Sequence, residues 1–185
     1  MAHVCPWWLG PLLASPLRRL WQLPPALLAP YVRAGMTVLE PGPGMGFFTL
    51  DVARLVGEAG RVVAVDLQPR MLDGLRRRAA RDGLAGRIET RLAAPDSLQV
   101  DDLKGCVDLV LAFAVVHEMP DSRAFFAQTA ATLKPEGSLL LVEPAGHVNT
   151  AAFAAELIAA KAAGLTVAAR PTIRRSHAAV LRKAG

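Results

Sequence analysis

Apolar residues between positions 36 and 183 gather in short runs, separated by segments in which they recur every three or four residues. Five runs are rich in aliphatic side chains: TVLEP (37–41), RVVAVDL (61–67), RIETRLA (87–93), VDLVLAF (107–113) and SLLLVEP (138–144). Continuous runs of this length suit strands buried on both faces, as in a parallel sheet. The segments between them read as helices. In the first, Phe48, Val52, Leu55 and Val56 share a face, and Gly57 and Gly60 end it. In the second, Met71, Leu72, Leu75 and Ala79 form the apolar stripe, with Arg76, Arg77, Arg78 and Arg81 on the outer side. A third follows Pro120 with Asp121 as N-cap, buries Phe126, Ala130 and Leu133, and stops at Lys134-Pro135-Glu136-Gly137. An alanine-rich helix, NTAAFAAELIAAKAAG, comes next, with Gly164 at its C-terminal end. LTVAARP and HAAVLRK, joined only by TIRRS, then predict a terminal antiparallel pair, because so short a loop leaves no room for a crossover.

Alternating strands and helices of this length imply right-handed crossovers and a doubly wound α/β sheet of five alternating strands plus the terminal pair. That domain spans 36–185. Residues 1–35 predict an N-terminal helical cap segment, since prolines at 6, 11, 16, 24, 25 and 30 break any long helix. The same segment is apolar enough to suggest a signal or membrane anchor. Against this, no Lys or Arg precedes the apolar stretch, and Arg18 and Arg19 interrupt it. A peripheral membrane contact through Trp7, Trp8 and Trp21 is the alternative use.

Composition narrows the class. With 52% hydrophobic residues the chain is too apolar for disorder. Cys5 and Cys106 show neither metal-ligand spacing nor a disulfide framework, which points to a reducing, cytoplasmic setting. Cys106, opening an apolar run, reads as a buried small hydrophobe. The net charge of +5 is uneven. Residues 70–91 carry seven Arg against three acids, and residues 161–185 six bases and no acid, whereas residues 92–160 hold nine acids against three bases. Basic excess is compatible with nucleic acid or anionic lipid, and equally with a solvated helix face.

The stretch VLEPGPGMG (38–46) carries the most specific signal. After the first strand of a doubly wound sheet the loop lies at the switch point where ligands bind. Glycines there let main chain approach a ligand, and N–H groups at the following helix start meet an anion. The spacing is Gly42, Gly44, Gly46, and Phe47 stands where a dinucleotide fingerprint places its last glycine, close under a pyrophosphate. Asp66 ends the second strand, twenty-four residues past Gly42, where a carboxylate accepts ribose hydroxyls. A nucleoside, no diphosphate, and a small zwitterionic end near Glu40 describe S-adenosylmethionine.

With these residues the chain resembles the class I S-adenosylmethionine-dependent methyltransferases over about residues 36 to 183. VLEPGPGMG is similar to the family's glycine motif and VVAVDLQPRML to its ribose-binding strand end. DLVLAFAVVHEMPD resembles the fourth strand and active-site loop, and LKPEGSLLLVEP the fifth strand with its preceding turn. The resemblance implies a Rossmann-like seven-stranded sheet, mostly parallel with an antiparallel last strand, and helices on both faces. It also implies that Glu40, Gly42, Gly44 and Gly46 surround the methionine end, Asp66 takes the ribose hydroxyls and Leu67 lines the adenine. Ala112 and Phe113 would lie along the cofactor near the transferred methyl. Where the family often has an acid that accepts from the adenine amino group, this chain reads LAAPDSL. Ala94 occupies that slot and Asp96 follows two residues later, so either Asp96 reaches back or the backbone at Ala94 and Pro95 serves.

A hydroxyl or amine acceptor must lose a proton, and His117, with Glu118 orienting or charging it, follows the fourth strand where an acceptor approaches. His147 is a second candidate base. No metal site is expected. The implied activity is methyl transfer to a small-molecule acceptor. Nucleic-acid methylation is not favoured, because no aspartate/asparagine-Pro-Pro-aromatic motif is present. The competing readings are a non-catalytic nucleoside-binding or surface-associating module and, against the Phe47 mismatch, an NAD(P)-dependent oxidoreductase. Oligomeric state is left open.

Overall fold

A computed structural model of the chain describes residues 24–184. The expected cap therefore falls outside the described residues as far as residue 23, together with its tryptophans. The remainder of that segment contains the short helix α1 (Pro24–Leu28). Leu28 and Val32 are buried.

The described residues divide between Ala94 and Pro95 into two compact units. The first contains strand β1 (Thr37–Pro41), helix α2 (Thr49–Val56), strand β2 (Arg61–Asp66), helix α3 (Pro69–Arg81) and strand β3 (Ile88–Leu92). Its strands pair in parallel, β1 with β2 and β2 with β3. From Val62 to Asp66 every residue of β2 is buried. Since successive side chains point to opposite faces, both faces of the sheet are covered at β2, whereas the edge strand β3 has no buried residue, against the expectation for its run. Met71, Leu72, Leu75 and Ala79 form the buried stripe of α3 as expected, with Gly74 among them. In α2 burial extends round almost the whole helix and includes Asp51, which accepts from Arg54 at 3.0 Å.

The second unit contains strand β4 (Val107–Phe113), helix α4 (Ser122–Thr132), strand β5 (Leu133–Pro144), helix α5 (Thr150–Ala162), and strands β6 (Leu165–Ala169) and β7 (Ser176–Lys183). β4 and β5 are parallel, and β7 runs antiparallel to both β5 and β6. The strand order of the seven-stranded sheet is β3-β2-β1-β4-β5-β7-β6. The fold is thus the α/β class expected from the sequence, with β7 as the reversed strand of its unit.

Two local expectations change. The third helix stops at Thr132, and Leu133 opens β5 by pairing with Val107. The next aligned pair is Leu109 with Ser138, so the Lys-Pro-Glu-Gly segment forms a bulge inside one long strand. Leu133 is fully buried as expected, but as the first residue of the strand and not the last of the helix. Cys106 is exposed, because it sits in the turn ahead of β4, and its Sγ lies 3.4 Å from the Lys104 carbonyl. Among the described residues no helix is long and apolar enough to cross a membrane.

Asp121 caps α4, its Oδ1 accepting from the N–H of Arg123 at 2.8 Å and of Ala124 at 3.2 Å. Asp121→Ala orphans both donors and should cost about 1 kcal/mol, read from the denaturant midpoint at unchanged slope.

Candidate functional site

The first unit builds a platform from backbone. β1 leads into a loop whose Gly42, Gly44 and Gly46 all have positive φ, at 68°, 55° and 83°. The loop is fixed from three directions. Gly42 N–H donates to the Val65 carbonyl at 2.8 Å, and Gly44 N–H donates to Asp66 Oδ2 at 3.2 Å. Helix α3 holds the other side: Arg78 donates from Nη1 to the Met45 carbonyl at 2.5 Å. A Cβ at Gly74 would stand 2.7 Å from Met45 Cγ, and one at Gly46 would stand 2.4 Å from Leu75 Cδ1. Arg78, expected on the solvated side of α3, is half-buried because its long side chain reaches this loop. At Gly44, by contrast, a Cβ would meet nothing within 4 Å, so one face of the loop is open. Phe47 is buried against Phe48, edge to face with centroids 4.9 Å apart.

Two acids flank the loop. Asp66, at the end of β2, is only 8% exposed and accepts from Gln68 N–H at Oδ1 (2.8 Å) as well as from Gly44. Burial pushes its carboxyl above the usual range, while the N–H donors from Gln68, Gly44 and Leu67 pull it back. A carboxylate oxygen has two lone pairs, so Oδ2, with one donor, keeps capacity for a second. Glu40 is 4% exposed, and its Oε2 has no hydrogen-bond partner among the described residues. The hydroxyl of buried Thr49 faces this carboxyl and is close enough to act on it, but falls short of hydrogen-bond geometry. Burial raises the Glu40 carboxyl to about 7; the charge of Asp66 adds to the rise, and the Thr49 hydroxyl works against it. A buried acid with an orphaned oxygen, beside exposed backbone, fits a ligand that brings a cationic donor. The residues present therefore fit the amino-acid end of S-adenosylmethionine. Leu67 and Leu92, at the ends of adjacent strands, are 42% and 49% exposed and present apolar surface at the same edge. Leu92 went unnoticed in the sequence because an exposed leucine ending a strand has no pattern of its own. Ala94 is half-buried at the end of this unit.

The second unit carries a different cluster. Ala112 is fully buried near the end of β4 and Phe113 half-buried beside it. Asp96 lies in an exposed turn whose carbonyl accepts from Gln128 Nε2 at 3.4 Å, while Gln128 Oε1 accepts from Leu98 N–H at 2.8 Å. Beyond β4, His117 sits with Nδ1 2.5 Å from Glu143 Oε2. Glu143 is fully buried in β5, and its Oε1 accepts from Val116 N–H at 2.8 Å. Glu143 is therefore the carboxylate that orients the imidazole, a role the sequence assigned to neighbouring Glu118. Glu118, half-buried, contributes its charge. The His117 ring is held above its ordinary value chiefly by the hydrogen bond to Glu143; burial opposes this, and the charges of Glu143, Glu118 and Glu156 reinforce it. His147 lies near, with ring centroids 5.7 Å apart. Glu156 of α5 is 8% exposed, and its Oε2 has no partner among the described residues. Burial, then the charge of Glu143, raises its carboxyl to about 7, and His117 works against the rise. With Nδ1–H given to an ionised Glu143, a neutral His117 presents Nε2 as the free base. Among the described residues no group of His, Cys, Asp and Glu could hold a metal ion.

Known proteins resemble this chain in sequence and in fold. The family described as a methyltransferase domain matches residues 38–137, more than half of the chain. The sequence is 32% identical over 133 residues to the ubiquinone/menaquinone biosynthesis C-methyltransferase of Marinomonas sp. (strain MWYL1), covering 71% of this chain and 51% of that protein. It is 34% identical over 148 residues to the ribosomal protein L11 methyltransferase of Pelotomaculum thermopropionicum, covering 78% and 42% respectively. The chain thus spans about half the length of these curated relatives. Its fold superposes on the crystal structure of a SAM-dependent methyltransferase from Aquifex aeolicus with a TM-score of 0.83 at 22% identity, over 96% of this chain and 98% of that one. On this evidence the chain belongs to the class I S-adenosylmethionine-dependent methyltransferase family.

Proposed function

We propose that this protein transfers a methyl group from S-adenosylmethionine to a small-molecule acceptor in the cytoplasm. The observation that carries the reading is the buried Glu40 carboxyl, whose Oε2 has no hydrogen-bond partner among the described residues, beside a loop of bare, braced backbone. Glu40 and the backbone of Gly42, Gly44 and Gly46 would hold the cofactor's amino-acid end. Asp66 would accept from ribose through the capacity left on Oδ2, and Leu67 with Leu92 would flank the adenine. When bound, S-adenosylmethionine supplies a methyl carried on a sulfonium, a leaving group already activated. This chain's own task is then to position the acceptor and take its proton. His117 is the base in this reading: Glu143 fixes the ring, stabilises the imidazolium that protonation creates, and leaves Nε2 to receive a proton from oxygen or nitrogen.

The relatives' names divide between quinone biosynthesis and a ribosomal protein, so the acceptor class has to be argued from this chain. The arginines of α3, the strongest feature for nucleic acid, are largely engaged within the fold. Arg76 holds Asp73 and Thr90, Arg78 the Met45 carbonyl, and Arg81 pairs with Asp82. Of these, Arg78 is held inside the fold, while Arg76 and Arg81 stay exposed in surface ion pairs. The cytoplasmic setting rests on the cysteine usage.

Four measurements test the reading. S-adenosylmethionine at a hundred times its Kd should stabilise the protein by about 2.7 kcal/mol in a thermal melt, and NAD should not. Asp66→Asn, which loses an acceptor shared by loop and ribose, should weaken cofactor binding at least tenfold, about 1.4 kcal/mol or more. If Glu40 receives the ammonium, it must first give up the proton it retains until about pH 7. Affinity should therefore fall as pH drops below that value, by up to about tenfold per pH unit, and Glu40→Gln should flatten the profile. Finally, an NMR titration of His117 should give a midpoint above 6.5, moving down in Glu143→Gln, where the largest raising cause is gone and burial remains. The sign for stability follows: the pair's contribution is complete below 6.5 and is lost as pH rises through the higher folded midpoint.

A further inference from the structure

The second unit holds a cleft that the proton-handling residues do not fill. It measures about 400 Å³ and opens between the first half of α5 and the segment joining β6 to β7. Sites for small organic molecules run from roughly 300 to 1,000 Å³. Apolar and polar surface share its walls evenly, the apolar part coming from Phe153 and Leu157 of α5 and from Pro171 and Ile173 of the connecting segment. Arg170 stands on the lining, and no carboxylate is among the lining residues. The guanidinium is exposed and has no ion pair or hydrogen bond among the described residues. The segment that carries it, residues 161–185, contains six bases and no acid.

The inner wall connects this cleft to the base. Phe153 and His177 stack there with ring centroids 5.3 Å apart and planes 25° from parallel. His177 is the register partner of Glu143 across β7 and β5, and Glu143 holds His117. Ser176, another lining residue, lies opposite Pro144, so the cleft mouth sits at the carboxyl end of β5, the edge from which His117 also projects beyond β4. An uncommitted guanidinium is suited to a planar oxyanion, which it binds through a two-pronged fork. A wall of stacked rings favours a flat apolar body over a flexible one. The buried acids Glu143 and Glu156 stand behind this wall and are not part of it.

We propose that this cleft is the acceptor subsite, and that the acceptor is a small planar molecule bearing one anionic group, its ring along Phe153 and Leu157 and its charge at Arg170. The proposal rests on the methyltransferase reading for the word acceptor, and on the cleft alone for the ligand chemistry. It is tested on the full chain with 2-naphthoate and 2-naphthamide, which share a ring system and differ in charge. Calorimetry at neutral pH should give naphthoate at least tenfold tighter binding. Amide shifts should concentrate in residues 150–157 and 170–178, and the His117 ring resonances should move on saturation. Arg170→Gln should erase the preference for the anion. Thr172→Glu, which sets an acid on the exposed rim, should abolish naphthoate binding and spare naphthamide. Equal affinities, no naphthoate binding, a preference that survives Arg170→Gln, shifts elsewhere, or a His117 ring that does not respond would each overturn the proposal. S-adenosylmethionine titrated in parallel separates the two readings. Cofactor binding without naphthoate binding sinks the subsite alone, and the reverse sinks the methyltransferase reading while leaving an anion cleft.

Discussion

Asp66 ties two chain segments that sequence keeps twenty-two residues apart, by accepting the Gly44 N–H at the end of the strand beside the glycine loop. Without that bond a loop with three residues at positive φ would have many conformations open to it. With it, and with Arg78 and Met45 gripping from α3, one conformation is selected before any ligand arrives. Preorganisation of this kind lowers the entropy a ligand must supply on binding. The same carboxylate is thus a structural acceptor and a candidate ligand contact, and its partial burial reflects both duties.

The two units solve similar problems with buried acids. In each, a glutamate is enclosed with an oxygen left unpartnered, Glu40 in one and Glu156 in the other, and each is raised to about 7. Fully satisfied acids would contribute more to stability. A fold that leaves both unsatisfied at neutral pH holds them where proton occupancy is easily altered. Glu143 differs, because both its oxygens are committed, one to Val116 N–H and one to His117. It ties the His117 ring to the backbone that follows β4.

The strands were legible because an aliphatic run buried on both faces has a signature independent of its neighbours. Asp66 was legible for the same reason, as a charge that ends such a run. Glu143 presents an equal signal at the end of SLLLVE, but its partner lies twenty-six residues earlier, and no local pattern links the two. Glu156 was hidden by its helix, where alanines on every side mask which face is buried. Arg78 followed helical periodicity onto the outer side, yet a long side chain can cross to a loop that periodicity does not register. The start of β5 was misplaced because Leu133 completes a helical stripe equally well, and only its pairing with Val107 decides the matter.

The position of β7 has a consequence for how the second unit forms. Residues 176–183 come after every other strand among the described residues, yet they lie between β5 and β6. During vectorial synthesis β5 and β6 therefore emerge with no means of pairing with each other, and each offers an open backbone edge until β7 arrives to fill the gap. Closure of this part of the sheet therefore waits on β7. Without residues 176–183, β5 and β6 would lack the strand that joins them, and α5 would lie over an incomplete sheet.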